Sequence, residues 1–426
     1  MTRNEALAGS QQGVERRSLA HNSLGLVLGK GIQTAAGFLF WVIAARSASA
    51  REVGLTAAAA SAVMLCTQVA ALGAGSAVIL AVGRGGPAQP TLDTAFSVVA
   101  AAGVPLALGY LLLASGMDPD AAAAAASPAL WLVFVVAVVA GTLIIVVDQA
   151  HVALGRGATS GPRYAVGGLA TLAAAGAVAW QGAGGTAALL TCWALGAVVA
   201  CVVGAVQLRR LIGYRYRPTF RLGRWRGLLG LGVPNQLLTL TERAPGLLLP
   251  VLVAHAVSPE TAAYWYPAWM MAWAVYSAPV LMGIVQFSEG VRAPDAIGRT
   301  SRSSLWWSLG VGAAVAAVLA VGATPLLRLL GQEYSDQAAD ALRLLVLGLF
   351  GYAVVQGYNA VCRARGRLRE AITVNAVLGV LLCAIPLWAA RQGVTAMALA
   401  WVCVLAVGSL GTGVRLAALL REVRRG

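Results

Sequence analysis

Long apolar runs recur along the chain, each closed by a short polar link rich in Arg, Gly or Pro. About 20 mostly apolar residues suffice for a helix to cross hydrocarbon. The pattern therefore predicts twelve spans, at residues 24–45, 53–82, 94–116, 129–154, 164–180, 187–211, 234–254, 262–287, 303–327, 341–361, 371–389 and 395–420. The longest polar link, residues 209–226, reads as a loop, and no link has room for a sizeable soluble domain. The expected fold class is an all-α polytopic membrane protein. It is divided into a tail at 1–23, a first lobe at 24–211, a basic linker at 212–233, a second lobe at 234–420 and a tail at 421–426. The first twenty residues carry Arg3, Glu5, Glu15, Arg16 and Arg17 and lack an apolar core with a cleavage site, so they are expected to form a tail and not a signal peptide.

Composition agrees: of 426 residues, 59% are hydrophobic and 11% charged. The net charge of +15 raises the question of nucleic acid, but the arginines are spread over many short loops and form no basic domain. With the N-terminus placed inside, 23 of the 31 basic residues fall in inside segments and four (Arg46, Arg51, Arg328, Arg391) outside. That bias predicts two cytoplasmic termini, and thirty of the 31 basic residues being Arg hints at a GC-rich bacterial genome, so the expected location is a bacterial plasma membrane. The loop at 117–128, with Asp118 and Asp120, is then external. Cys66, Cys192, Cys201, Cys362, Cys383 and Cys403 have neither metal spacing nor an obvious disulfide partner and read as small hydrophobes; no metal or other cofactor is expected.

A shift of 209 residues aligns several links. Gly155-Arg156-Gly157 falls on Ala364-Arg365-Gly366, Thr186-Ala187 on Thr395-Ala396, and Ser49 on Ser258. A period of six helices is even, so the lobes are expected to be parallel repeats around a central cavity, with substrate near the bilayer midplane.

Glu242 and Arg243 stand side by side inside the seventh apolar run. Charge at bilayer depth is costly and faces a partner, a wet cavity or a ligand. Helical neighbours diverge by about 100°, so the two cannot pair well with each other. Arg243 has the forked geometry that suits phosphate oxygens, whereas Glu242 is a tuner, a coupling site or half of an interhelical ion pair. Lys30 either lines the cavity or snorkels to the head groups, and Asp148 lies at a depth where it can pair with Lys30. Arg343 and Arg415 sit near span ends and read as snorkelling. The repeat places Glu242 on Gln33 and Arg243 on Thr34, one helical turn beyond Lys30, so Lys30 and Arg243 become one cation per lobe, about 6 Å apart in height.

Asn235, Thr239 and Glu242 recur at helical spacing and give the seventh span a polar face. Tyr352, Gln356 and Asn359 do the same in the tenth, either lining a cavity or holding helices together. Tyr266, Trp269, Trp273 and Tyr276 form a stripe in the eighth; Trp269 and Trp273 lie deep enough to stack on sugar, while an interfacial belt is the plain alternative. Pro234, Pro245, Pro250 and Gly246 make the seventh span bendable.

Several stretches carry a family resemblance. Leu28-Gly29-Lys30, Ala45-Arg46-Ser47-Ala48-Ser49-Ala50-Arg51-Glu52-Val53-Gly54 and Ala71-Leu72-Gly73-Ala74-Gly75-Ser76-Ala77 resemble the start of the polysaccharide transporter family. Leu330-Gly331-Gln332-Glu333-Tyr334, Arg365-Gly366-Arg367 and Asn375 resemble its later landmarks. That family belongs to the multidrug, oligosaccharidyl-lipid and polysaccharide (MOP) superfamily, whose Wzx-like members flip lipid-linked oligosaccharides. Twelve spans suit the O-antigen type and are two fewer than in lipid II flippases. The resemblance implies a monomeric carrier for a polyprenyl-pyrophosphate-linked glycan, working by alternating access, with membrane lipid around it and a polymerase or glycosyltransferases as associates. A cation-coupled multidrug exporter is the alternative within the same fold. A membrane glycosyltransferase would need an external catalytic carboxylate, for which Asp118 and Asp120 are the early-loop candidates, and usually a long soluble segment. Gly29-Lys30-Gly31 lacks the rest of a phosphate loop, which disfavours an ATP-driven pump.

Overall fold

The computed structural model describes residues 31–83, 86–116, 127–156, 159–219, 221–292 and 297–425, and every regular element among them is helical. α1 covers residues 31–47, α2 Ala50–Ala70, α3 Ala74–Gly83, α4 Ala88–Ala114, α5 Pro128–Ala153, α6 Ser160–Trp180 and α7 Thr186–Ile212. Then come α8 Leu222–Ala256, α9 Pro259–Arg292, α10 Ile297–Arg328, α11 Gln332–Leu347, α12 Leu349–Ala364, α13 Leu368–Ala389, a 3-10 turn at Ala390–Gln392, and α14 Val394–Arg425. The tail at 1–23, Lys30, Asp118, Asp120 and Gly157 lie outside the described residues.

Eight spans among the described residues are long and apolar enough to cross a membrane, nine if α11 and α12, bent by 42°, count as one. The other three expected spans are helical as α1, α6 and α9. α1 is described only from residue 31, Arg163 lowers the apolarity of α6, and Tyr and Trp crowd the first half of α9. Two boundaries move substantially. α8 starts at Leu222, ahead of the expected 234, and α11 at Gln332, ahead of 341. Both extensions are amphipathic, and an apolar-length criterion passes over such turns.

The expected second span arrives as two helices. At the break, Leu72 has φ 47° and Gly73 φ 75°. A Cβ on Gly73 would stand 2.2 Å from the Gly232 carbonyl carbon, so two glycines let the backbones touch. Leu72 N–H turns to Val69 O at 3.2 Å, and the Gln236 side-chain amide donates to the carbonyl of Gln68 at 2.5 Å. A break at membrane depth persists where protein groups satisfy the freed backbone. Gly73→Ala is expected to cost more than about 2 kcal/mol, combining a left-handed φ with backbone overlap. A melting temperature in detergent equal to that of the native chain would contradict this.

The internal repeat is written into the turns. Ser49 caps α2, sharing hydrogen bonds with Glu52, and Ser258 Oγ accepts from Thr261 N–H at 3.1 Å at the start of α9, 209 residues later. Gly155 (φ 69°) and Gly366 (φ 68°) close α5 and α12, with Arg156 N–H on His151 O and Arg367 N–H on Cys362 O. That turn repeats at 211 residues instead of 209.

The chain forms two compact units. One comprises Met1–Phe40, Cys66–Gln181 and Ala187–Gln236; its core holds Leu92, Phe96, Val146, Leu208, Tyr214 and Leu228. The other comprises Trp41–Leu65, Gly182–Thr186 and Leu237–Gly426, with Leu238, Tyr358, Val361, Ala371 and Leu419 in one of its clusters.

Candidate functional site

The site is built within the second unit, where α8, α12 and α13 meet. Glu242 turns to Arg363 on α12, whose Nη2 donates to both carboxylate oxygens at 2.9 Å. The Glu242 and Arg363 side chains are 8% and 15% exposed, a buried ion pair. Of the readings open for Glu242, the geometry is that of the interhelical pair. Arg363 extends the expected polar face of α12 by one turn: Tyr352, Gln356, Asn359 and Arg363 follow at spacings of four, three and four. Sequence reasoning missed it because Arg363 looked like the first residue of a basic loop, although the i+4 continuation was there to read.

Arg243 diverges from its neighbour as helical geometry requires. Its guanidinium is half-buried and makes no hydrogen bond or ion pair with any described residue. Asn359 and Asn375 exchange side-chain hydrogen bonds at 3.3 and 2.7 Å and tie α12 to α13. Tyr352 and Gln356 instead line a small recess together with Thr241, Glu242, Pro245, Asn375 and Gly379. Pro245 has no N–H to offer the Thr241 carbonyl, which leaves an acceptor at the recess wall. α8 nevertheless runs as a helix through Pro234, Pro245 and Pro250. Gly246 has a packing role: a Cβ there would lie 2.4 Å from Trp269 Cζ2.

The aromatic stripe is a packed wall. Trp269, 7% exposed, sits 6.0 Å from Trp265 and 4.6 Å from Trp401 between ring centroids. Two stripe members approach the recess lining: Tyr276 stacks on Tyr352 at 5.0 Å, and the half-buried Trp273 reaches it edge-on at 6.2 Å.

The remaining expected residues are not gathered here. Asn235 and Thr239 are half-buried on α8 and Gln33 is exposed on α1; each has partners of its own. Asp148 belongs to a separate buried nexus in the first unit, bonded by Arg163 and Tyr164, while Arg163 also donates to Gln207 at 2.8 Å. Its proposed partner Lys30 lies outside the described residues. Arg343 and Arg415, expected to snorkel, are both bonded: Arg343 to Asp340 at 2.7 Å and Arg415 to Glu370 at 2.7 and 3.0 Å.

The comparisons fit this architecture. The MatE family model matches residues 269–388, and no curated protein sequence matches the chain. Among solved structures, the chain resembles an inward-facing multidrug resistance MATE family transporter of the MOP superfamily, with a TM-score of 0.67 and 13% identity over 94% of this chain and 99% of that one. It resembles lipid II flippase MurJ in an inward closed conformation with a TM-score of 0.71 and 13% identity, over 93% of this chain and 89% of that one. A MOP superfamily transporter from Pyrococcus furiosus, described by a binding pocket of reverse polarity, gives 0.62 and 14% over 96% of each. The chain thus has the multi-pass helical fold of the MOP superfamily transporters.

Proposed function

We propose that the protein is a flippase that moves a polyprenyl-phosphate- or pyrophosphate-linked oligosaccharide across the bacterial plasma membrane by alternating access, with Arg243 receiving the phosphate. One observation carries this reading: the half-buried Arg243 guanidinium makes no hydrogen bond or ion pair with any described residue, and it stands beside an acid already bonded to Arg363. A cation left open at bilayer depth suits an anionic ligand, and a guanidinium grips phosphate oxygens with two parallel bonds. The likeness to a protein named a lipid II flippase supports a lipid substrate.

Cation-coupled multidrug export is the second reading, favoured by the MatE match and the likeness to a multidrug transporter. It calls for an available carboxylate, and the Glu242 carboxylate is held by a guanidinium at 2.9 Å. The two readings separate in vesicles containing the purified protein. A fluorescent polyprenyl-pyrophosphate saccharide is expected to cross to the far leaflet, while ethidium stays put under an imposed proton or sodium gradient. Gradient-driven ethidium transport with a stationary lipid-linked saccharide would reverse the assignment.

A further inference from the structure

After α7, the described residues 213–219 form a clamped strap that leads to α8. Tyr214 Oη donates to Asp93 Oδ1 at 3.0 Å, Arg217 N–H donates to the same oxygen at 3.0 Å, and Thr219 N–H donates to Ser97 Oγ at 3.0 Å. Gln89 Nε2 donates to the Arg215 carbonyl at 2.6 Å, and Trp225 Nε1 to Thr219 O at 3.0 Å. Tyr214 and Tyr216 pack their rings on Phe96 at 5.7 and 6.4 Å. Burial and the Asp93 carboxylate raise the Tyr214 phenol well above its usual range, so it remains a donor at any physiological pH.

What this clamp displays is charge. Arg209, Arg210, Arg215, Arg217, Arg221, Arg224 and Arg226 are all exposed, and no side chain of the seven bonds or pairs with a described residue. The basic turn after α12 is different, because Arg363 pairs with Glu242, and Arg365 and Arg367 pair with Glu422 at 3.0 Å. A general excess of arginine in loops does not account for that contrast. Arg224 and Arg226 also lie in the first turns of α8, where the helix dipole adds to the positive potential.

Interleaved with the arginines are exposed apolar side chains: Ile212 at 39%, Tyr216 at 50% and Leu222 at 58%. The strap joins the candidate span Thr186–Ile212 to the candidate span Gly232–Ala256, which holds it at a membrane surface. We propose that the strap is a docking surface for anionic phospholipid head groups, with guanidiniums on the phosphates and Ile212, Tyr216 and Leu222 in the interfacial layer. Each basic side chain near an anionic surface changes binding by about fivefold. The folded clamp contributes by presenting the charges without further ordering cost. This inference is independent of the transported substrate.

The test is native mass spectrometry of the full chain in neutral detergent with equal amounts of phosphatidylglycerol and phosphatidylcholine. The native chain is expected to retain phosphatidylglycerol preferentially. Arg215→Gln/Arg217→Gln/Arg221→Gln is expected to lose about a hundredfold in affinity, taking three such factors together. The matching Lys variant should retain binding, and Arg365→Gln/Arg367→Gln, which removes arginines already paired with Glu422, should leave it unchanged. Only the backbone groups of Arg215 and Arg217 enter the clamp, so the Gln variant preserves the strap, and an unchanged elution profile verifies this. Equal retention of the two lipids, undiminished phosphatidylglycerol on the Gln variant, or complete displacement by inorganic pyrophosphate at equal concentration would overturn the proposal, the last by revealing a site for soluble phosphate.

Discussion

Arg243→Ala is expected to slow movement of the lipid-linked saccharide by about ten- to a hundredfold while leaving expression and melting temperature close to native. The side chain holds no protein partner among the described residues, so its removal strands no buried group and empties no packed core. The recess beside Glu242 and the Arg363 pair would remain, and with them the local structure. What disappears is the cation proposed to meet the phosphate, and a charge-assisted hydrogen bond is worth roughly 1.5–3 kcal/mol, about one to two decades in affinity. Arg243→Lys keeps a point charge and loses the fork, so it should be intermediate. The readouts are saccharide crossing in vesicles and surface polysaccharide in cells. Native-level transport by well-folded Arg243→Ala would remove Arg243 from the binding role.

Arg363→Ala should act in the opposite way, on the fold before the transport. It strands the Glu242 carboxylate, whose side chain is 8% exposed, without its bonded counter-ion. Breaking a buried pair from one side costs about 3–5 kcal/mol, whereas replacing both members by uncharged groups is often neutral. Glu242→Gln/Arg363→Met should therefore recover most of the stability lost by Arg363→Ala, measured as melting temperature in one detergent. If Arg363→Ala melts with the native chain, the pair is not what joins α8 to α12.

The helices were legible because each apolar run is long and closed by Arg, Gly or Pro, and the capping serines of α2 and α9 appear at the expected spacing of 209 residues. The break at Leu72 and Gly73 was not legible, because Ala71 to Ala77 remains apolar through it and the support comes from Gly232 and Gln236, far away in sequence. That Glu242 and Arg243 diverge on their helix follows from helical geometry alone. Their actual circumstances depend on Arg363, 121 residues from Glu242, and long-range pairing of charges leaves no local pattern. The same holds for Asp148, which meets Arg163 and Tyr164 across a turn. Depth suggested Trp269 for sugar stacking, but Gly246 and Trp401 wall it in, and a single helical stripe does not reveal its neighbours.

The pairing of Glu242 with Arg363 also has an electrical consequence. A charge carried across the membrane potential exchanges about 2.3 kcal/mol per 100 mV, but a bonded acid and base move together as zero charge. Voltage therefore exerts no net pull on that pair, and Arg243, one residue away, is the part of the nexus that feels the field. If the proposed doubly negative pyrophosphate binds there, the local charge changes sign, and an inside-negative potential would favour outward movement of the loaded site.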